Sequence, residues 1–273
     1  MALITSKSNP QIKFIKDLRR KKTRDATGLL YVEGIRPVGE AFDCGWVIKE
    51  LVAAPDLLRS DYALKLFEKV TKSGVRIVET SVEVFESISE KEGPQGIAAV
   101  VKKKISTIEN VSEESGVWVG LEAIQDPGNL GTIMRTAEAS GVKGLILLEN
   151  CADPFGVEAV RASMGALFST DIIFSTNSAF SSYVEKKNIP VIGTSDKAEI
   201  FFRDMVYPKN LVLLMGSEQK GLSEDLKKSC DNIVAIPMSG RSDSLNLAVA
   251  TGIILYEIYH QHLSSTGKEV IKK

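Results

Sequence analysis

The chain reads as an α/β protein in two parts: a small α/β domain over residues 1–104 and a larger, mainly parallel sheet domain over 117–273, joined by a linker at 105–116. Three observations predict this. The polar stretch KKKISTIENVSEESG, running from Lys102 to Gly116, has little hydrophobic alternation. Beyond it, the apolar runs VWVGL, GLILL, DIIF, PVIGT, LVLLM and IVAIP alternate with helical segments, as strands buried on both faces of a parallel sheet do. Charge divides at the same place. Residues 1–104 carry 19 Lys and Arg against 14 Asp and Glu, net +5, which leaves 15 against 21, net -6, for the remainder of a chain whose overall charge is -1.

In the first part, periodicity predicts a basic helix near 9–22, a strand around Leu29 to Glu33 and a helix starting near Arg36. A strand near Leu51 to Ala54, a helix over Tyr62 to Ser73, and strands near Val75 to Glu79 and Ile97 to Val101 follow. The basic helix carries KFIKDLRRKKTR, in which only Asp17 interrupts the cations. Arg19, Arg20, Lys21, Lys22 and Arg24 are therefore candidate contacts to nucleic-acid phosphates, the alternative being a solvated helix face. In the second part each apolar run is a strand, helices fill the gaps, and a long last helix is expected from about Leu245 to His262.

Composition narrows the chemistry. A chain of 273 residues that is 44% hydrophobic and 25% charged is ordinary for a soluble globular protein with a sizeable core. No apolar run is long enough to span a bilayer, and the N-terminus lacks a signal-peptide pattern, so a cytoplasmic protein without a membrane partner is expected. Cys44, Cys151 and Cys230 are too scattered for a disulfide framework or a zinc site and read as buried thiols; no metal is expected. The only histidines, His260 and His262, fall at the end of the last helix, so a histidine general base is not expected.

Ligands of open α/β sheets gather beyond the carboxyl ends of strands, where this sequence places three polar turns. The first opens DPGNLGTIMRTAEASG, Asp126 to Gly141: a turn, then a helix with Asn129 as its cap and Leu130, Ile133, Met134 and Ala137 on its buried face. Thr132 and Arg135 follow Asn129 in steps of three along the other side. Asn129 and Arg135 are either a cap and a solvated charge or groups that face a substrate. The second turn, LLMGSEQKGLS, has the G-x-x-x-x-G spacing of a phosphate loop, but Leu222 stands where the lysine belongs, and the Rossmann G-x-G-x-x-G is absent from the chain. The third is IPMSGRSDSLNLAVA.

Together, in this order, the three turns resemble the three motifs of the SpoU (TrmH-like) RNA ribose 2′-O-methyltransferases of the SPOUT superfamily. The first supplies the motif asparagine and arginine at Asn129 and Arg135. The second supplies Glu218 between Gly216 and Gly221, and the third Ser244, Leu245 and Asn246. Gln219 departs from the glycine that many members carry. The phrases ITSKSNPQIK, YVEGIRPVGEA and GPQGIAAVV are similar to the family's N-terminal RNA-binding domain.

The resemblance implies a methyltransferase domain with a C-terminal trefoil knot, S-adenosylmethionine as cofactor, an RNA substrate (ribosomal rather than transfer RNA) and a homodimer. A transfer RNA 2′-O-methyltransferase and a non-catalytic RNA-binding protein that keeps the fold are the alternatives. Asn129, Arg135, Glu218, Ser244 and Asn246 are the implied catalytic residues, with Arg135 either removing the hydroxyl proton or only positioning the substrate. Glu218 has a structural alternative as a cap on the helix near Ser223. Thr194, Leu214, Gly216, Ser217, Gly221, Ile236, Met238 and Leu245 are the implied cofactor contacts. Gly216→Val is expected to obstruct the nucleoside without unfolding the chain.

Overall fold

The computed structural model describes residues 3–90, 93–112, 114, 116–241 and 244–266, which divide into two compact units. The first comprises residues 1–104 together with 153–169, a segment expected within the larger domain. Asn9 opens helix α1 (Pro10–Asp17): its side chain accepts a hydrogen bond from the Gln11 N–H, and Pro10 occupies the first turn, where no donor is missed. The helix expected over 9–22 is broken. A turn at 18–20 separates α1 from α2 (Lys21–Thr27), which Gly28 ends in the left-handed conformation at φ 66°. The break leaves the carbonyls of Leu18 and Arg19 to accept hydrogen bonds from the Arg24 guanidinium.

Strands β1 (Leu29–Glu33), β2 (Ile48–Ala53), β3 (Arg76–Glu79) and β4 (Ile97–Lys102) form one sheet in the order β1-β4-β2-β3, with only β2 and β3 parallel. Helices α3 (Ile35–Asp43), α4 (Asp61–Lys72) and α5 (Val82–Ile88) complete the run to residue 104. Ile12, Ile15, Leu18, Tyr31, Val52, Phe85 and Val100 share its core.

The 153–169 segment carries a short helix, numbered α7 in chain order (Val157–Ala162), and is held by side chains that are distant in sequence. Trp46 donates its indole N–H to the Phe168 carbonyl at 2.9 Å and meets the Phe168 ring edge-on, with centroids 5.0 Å apart. The Lys103 ammonium lies 5.4 Å from the Phe155 ring centroid. Gly165, at φ 100°, leaves room for Glu40; a Cβ there would stand 2.6 Å from the Glu40 Cγ.

The second unit, residues 105–152 and 170–273, holds an all-parallel sheet in the order β7-β6-β5-β10-β8-β11-β9. Its strands are β5 (Val117–Glu122), β6 (Gly144–Leu148), β7 (Asp171–Ser175), β8 (Val191–Thr194), β9 (Ile200–Phe201), β10 (Leu211–Met215) and β11 (Asn232–Ala235). The two-residue β9 was not expected; Ile200 and Phe201 are exposed, so no buried apolar run announces them. Helices α6 (Pro127–Ala139), α8 (Asn177–Lys187), α9 (Glu224–Lys228) and α10 (Leu247–Thr266) cover the sheet or follow its strands.

The described part of the expected 105–116 linker packs onto this unit: Ser106 N–H donates to the Ile172 carbonyl at 2.8 Å, and Val111 is buried with Trp118 and Ile146. The chain proceeds from β5 to β6 and β7 on one side, then crosses to β8, and β10 later fills the place between β5 and β8. That reversal of strand order beside β5 opens a crevice beyond the carboxyl ends. The three polar turns leave from β5, β10 and β11.

Candidate active site

Helix α6 begins three residues earlier than expected. Asp126 is the cap, its carboxylate accepting the Asn129 N–H at 2.6 Å, with Pro127 in the first position. Asn129 is thus inside the first turn and its side chain is released from capping. It accepts a hydrogen bond from Asn246 Nδ2 at 2.9 Å and donates its own Nδ2 to Glu218 Oε1 at 3.1 Å.

Both amide orientations follow from the ends of this chain. The Asn246 Oδ1 accepts from the main-chain N–H groups of Ala248 and Val249 at the start of α10, so its NH₂ must face Asn129; the Asn129 NH₂ then faces a carboxylate. Three residues from three separate turns form one hydrogen-bonded line, Asn246 to Asn129 to Glu218. Glu218 does not cap α9. Ser223 does so with its own hydroxyl, and the carboxylate that accepts the Ser223 N–H at 2.8 Å belongs to Glu122.

The loop after β10 is tight. Ser217 and Gly221 exchange main-chain hydrogen bonds of 3.1 and 2.9 Å, and Gly221 takes φ 65°. A Cβ on Gly216 would lie 2.1 Å from the Gly221 carbonyl carbon and 2.2 Å from the Leu222 nitrogen. Valine at 216 therefore breaks the loop itself before it meets any ligand, which corrects the expectation that such a variant obstructs only a nucleoside.

Beside this loop lies a cavity of about 700 Å³, within the range that holds a nucleoside-sized ligand. Thr194, Gly216, Ser217, Gly221, Ile236, Met238 and Leu245 line it, as do Glu218, Ser244 and Asn246. Leu214 does not: it is buried behind the wall, where its carbonyl accepts the Thr194 hydroxyl at 3.2 Å. Val234, Ile236, Met238, Leu247 and Ile254 give apolar surface for a flat ring, while Ser195, Asp196, Lys197 and Lys227, none anticipated, add polar groups. Their signal was position alone, since Ser195 to Lys197 directly follow β8.

Arg135 is not part of the cavity wall. It stands exposed on α6, on the same side as exposed Thr132, and its side chain makes no hydrogen bond or ion pair among the described residues. The basic run of the first unit divides. Arg24 is 4% exposed and bound to Asp153 at 2.5 Å, which removes it from the candidate RNA contacts. Arg19 donates to the Ile88 and Ser89 carbonyls and pairs with Glu90 at 2.8 Å. Arg20, Lys21 and Lys22 face solvent.

Of the thiols, Cys44 is exposed rather than buried; Cys151 and Cys230 are half-buried, and burial pushes their pKa values up, that of Cys230 to about 12. Both stay protonated and are poor nucleophiles. Among the described residues no cluster of three or more His, Cys, Asp or Glu is arranged to hold a metal ion, and no helix is long and apolar enough to cross a membrane.

Residues 116–256 match the SpoU rRNA Methylase family. The chain belongs to that family. Residues 9–99 match the MRM3-like substrate binding domain. The SpoU chain is 31% identical, over 90% of its length and 87% of the relative's, to a 23S rRNA (uridine(2479)-2'-O)-methyltransferase of Streptomyces viridochromogenes. It is 28% identical, over 94% of its length and 99% of the relative's, to a 23S rRNA (guanosine(2553)-2'-O)-methyltransferase of Bacillus subtilis. Among solved structures, the AdoMet-bound rRNA methyltransferase from Sinorhizobium meliloti is 36% identical and superposes with a TM-score of 0.87, over 96% of this chain and 98% of that one.

Proposed function

We propose that this SpoU protein transfers a methyl group from S-adenosylmethionine to a ribose 2′-hydroxyl of ribosomal RNA. The observation that carries the reading is the Asn246–Asn129–Glu218 line at the edge of a nucleoside-sized cavity. S-adenosylmethionine supplies a sulfonium-activated methyl group, a strong electrophile. The residues of this chain bind and orient. Main-chain groups at Gly216, Ile236 and Leu245 hold the nucleoside, with Thr194, Ser217, Gly221 and Met238 shaping its surroundings.

Asn129, Glu218, Ser244 and Asn246 fix the loop edge where the attacking hydroxyl arrives. Arg135 contacts an RNA phosphate and aligns the ribose. A guanidinium keeps its proton near neutrality and is a poor base, so the rate derives from in-line positioning rather than from proton removal by arginine. Arg20, Lys21 and Lys22 supply phosphate contacts in the first unit.

The enzyme works in the cytoplasm as a homodimer, with the C-terminal segment threaded as a trefoil knot. Exposed Val249 and Tyr256, two turns apart on α10, support a second copy of the chain on that face. Family membership supports the knot. The two relatives modify different nucleosides, a uridine and a guanosine, so the target nucleotide belongs to this chain's own RNA contacts.

The test uses S-adenosylmethionine labelled in the methyl group, with ribosomal and transfer RNA offered separately. Alkali cleaves RNA through the 2′-hydroxyl, so a methylated ribose protects its 3′ phosphodiester and the label must appear in alkali-resistant dinucleotides from ribosomal RNA. Label only in transfer RNA overturns the substrate, and label in alkali-released mononucleotides overturns ribose as acceptor. Cofactor and RNA binding without transfer marks a non-catalytic RNA-binding protein.

A further inference from the structure

Glu122 ends β5 and is 6% exposed, yet no cation among the described residues pairs with it. A buried carboxylate without a counter-ion persists only where donors surround it. Here there are two. Its Oε1 accepts from the Asn177 side-chain NH₂ at 2.7 Å and its Oε2 from the Ser223 N–H at 2.8 Å. Asn177 opens α8, and its own N–H is held by the Glu149 carboxylate at 2.8 Å. Ser223 closes the loop after β10. One carboxylate thus ties the end of β5 to the start of α8 and to the last residue of the turn that carries Gly216, Glu218 and Gly221.

That turn has little freedom elsewhere. Gly216 lies so close to the Gly221–Leu222 peptide that even a Cβ would collide, so a shift of Ser223 is passed through Leu222 and Gly221 to the cavity wall. We infer that Glu122 is a positioning residue for methyl transfer: it touches neither cavity nor substrate, and it sets the loop that binds the cofactor by accepting from two donors at once. This rests on the assignment of that loop to S-adenosylmethionine.

Because both partners donate, the site requires an acceptor on each oxygen. Glutamine has the same shape but only one acceptor, so Glu122→Gln either sets an NH₂ against a donor or makes the Asn177 amide turn its Oδ1, which is buried without a partner in the parent, toward the new NH₂ and leave the Asn177 NH₂ with no acceptor. Asn177→Asp alone sets two carboxylates together. The pair Glu122→Gln with Asn177→Asp restores complementarity: the new amide donates to Asp and accepts from Ser223.

Two readouts decide the matter: calorimetric affinity for S-adenosylmethionine, and tryptic cleavage after exposed Lys220 inside the loop. Each single variant is expected to lose cofactor affinity about tenfold or more, raise the cofactor KM while kcat at saturation stays within threefold, and cut faster at Lys220. The double variant returns both readouts to the parent's. A Glu122→Gln protein with a lower melting temperature but parental affinity and cleavage has lost stability alone, and that overturns the inference. If a single variant does not fold, the double variant decides: folded with weak affinity, it overturns the inference; folded with parental affinity and cleavage, it supports it. Failure of the parent to bind S-adenosylmethionine sinks the cofactor assignment instead, while Lys220 cleavage still reports whether Glu122 holds the loop.

Discussion

Arg24 and Arg135 are both helical arginines that follow a polar turn, and their surroundings are opposite. Arg24 has every face of its guanidinium occupied: Nε and Nη2 on Asp153, Nη1 on the carbonyls of Leu18 and Arg19. Arg135 stands exposed and, among the described residues, unpaired, on a helix whose first turn belongs to the hydrogen-bonded line at the cavity edge. An arginine with interior acceptors for its donors is part of the fold, and removing it strands a largely enclosed carboxylate. An arginine with none is available to an anion from outside. The two positions therefore separate stability from activity, and the first two predictions set them against each other.

The largest expected effect is on stability. Arg24→Ala leaves the largely enclosed Asp153 carboxylate, 14% exposed, without its counter-charge and uncovers the carbonyls at the break between α1 and α2. The cost of breaking such a pair is about 3–5 kcal/mol. Urea unfolding should show it, while Arg20→Ala, whose partner Asp17 lies 3.5 Å away at the exposed surface, should cost less than about 1 kcal/mol. Equal costs for the two would mean that the buried pair is not what joins the 153–169 segment to the first unit.

Arg135→Ala should do the reverse. Its unfolding midpoint and cofactor affinity stay near the parent's, while turnover on RNA falls by roughly two orders of magnitude, the scale for removing a group that positions or electrostatically stabilises the reacting atoms. Arg135→Lys sharpens the test. Poor turnover with partial RNA affinity indicates a bidentate fork; near-complete rescue means a point charge suffices. Parental turnover in Arg135→Ala returns Arg135 to the solvated surface.

The same contrast explains what was legible in the sequence. Strands such as VWVGL and LVLLM are readable because burial on both faces leaves an uninterrupted apolar run, and the turns at their ends are readable because Gly, Ser and Asn cluster there. Asn129 reads as a cap although Asp126, followed by Pro127, carries the better start signal; its real partners, Glu218 and Asn246, lie 89 and 117 residues away. Arg24 looks like its neighbours because nothing local marks Asp153, 129 residues on, as its partner. Glu122 has no signature at all, since a single carboxylate at a strand end becomes informative only when both donors are seen. Local pattern announces elements and turns, whereas the fate of a charge is decided by what the chain brings to it from far off.

The smallest expected effect concerns the cations that the fold leaves exposed. Of the basic run, Arg19 and Arg24 are engaged internally, so substituting them would confuse folding with binding; Lys21 and Lys22 are exposed and free of that ambiguity. With both lysines changed to glutamate, the protein should keep its unfolding midpoint and its cofactor affinity and bind ribosomal RNA more weakly. A phosphate that the protein no longer neutralises keeps its counterion, so the slope of log affinity against log salt should become shallower by about 1.4–1.8 for two phosphates. The slope separates direct binding of phosphate from general repulsion, because affinity alone would fall in either case when two negative charges are added near RNA. If the variant binds less tightly at low salt but keeps the parent's slope, the lysines touch no phosphate. Lys21 and Lys22 are then solvated charges on α2, the helix whose Arg24 is turned inward.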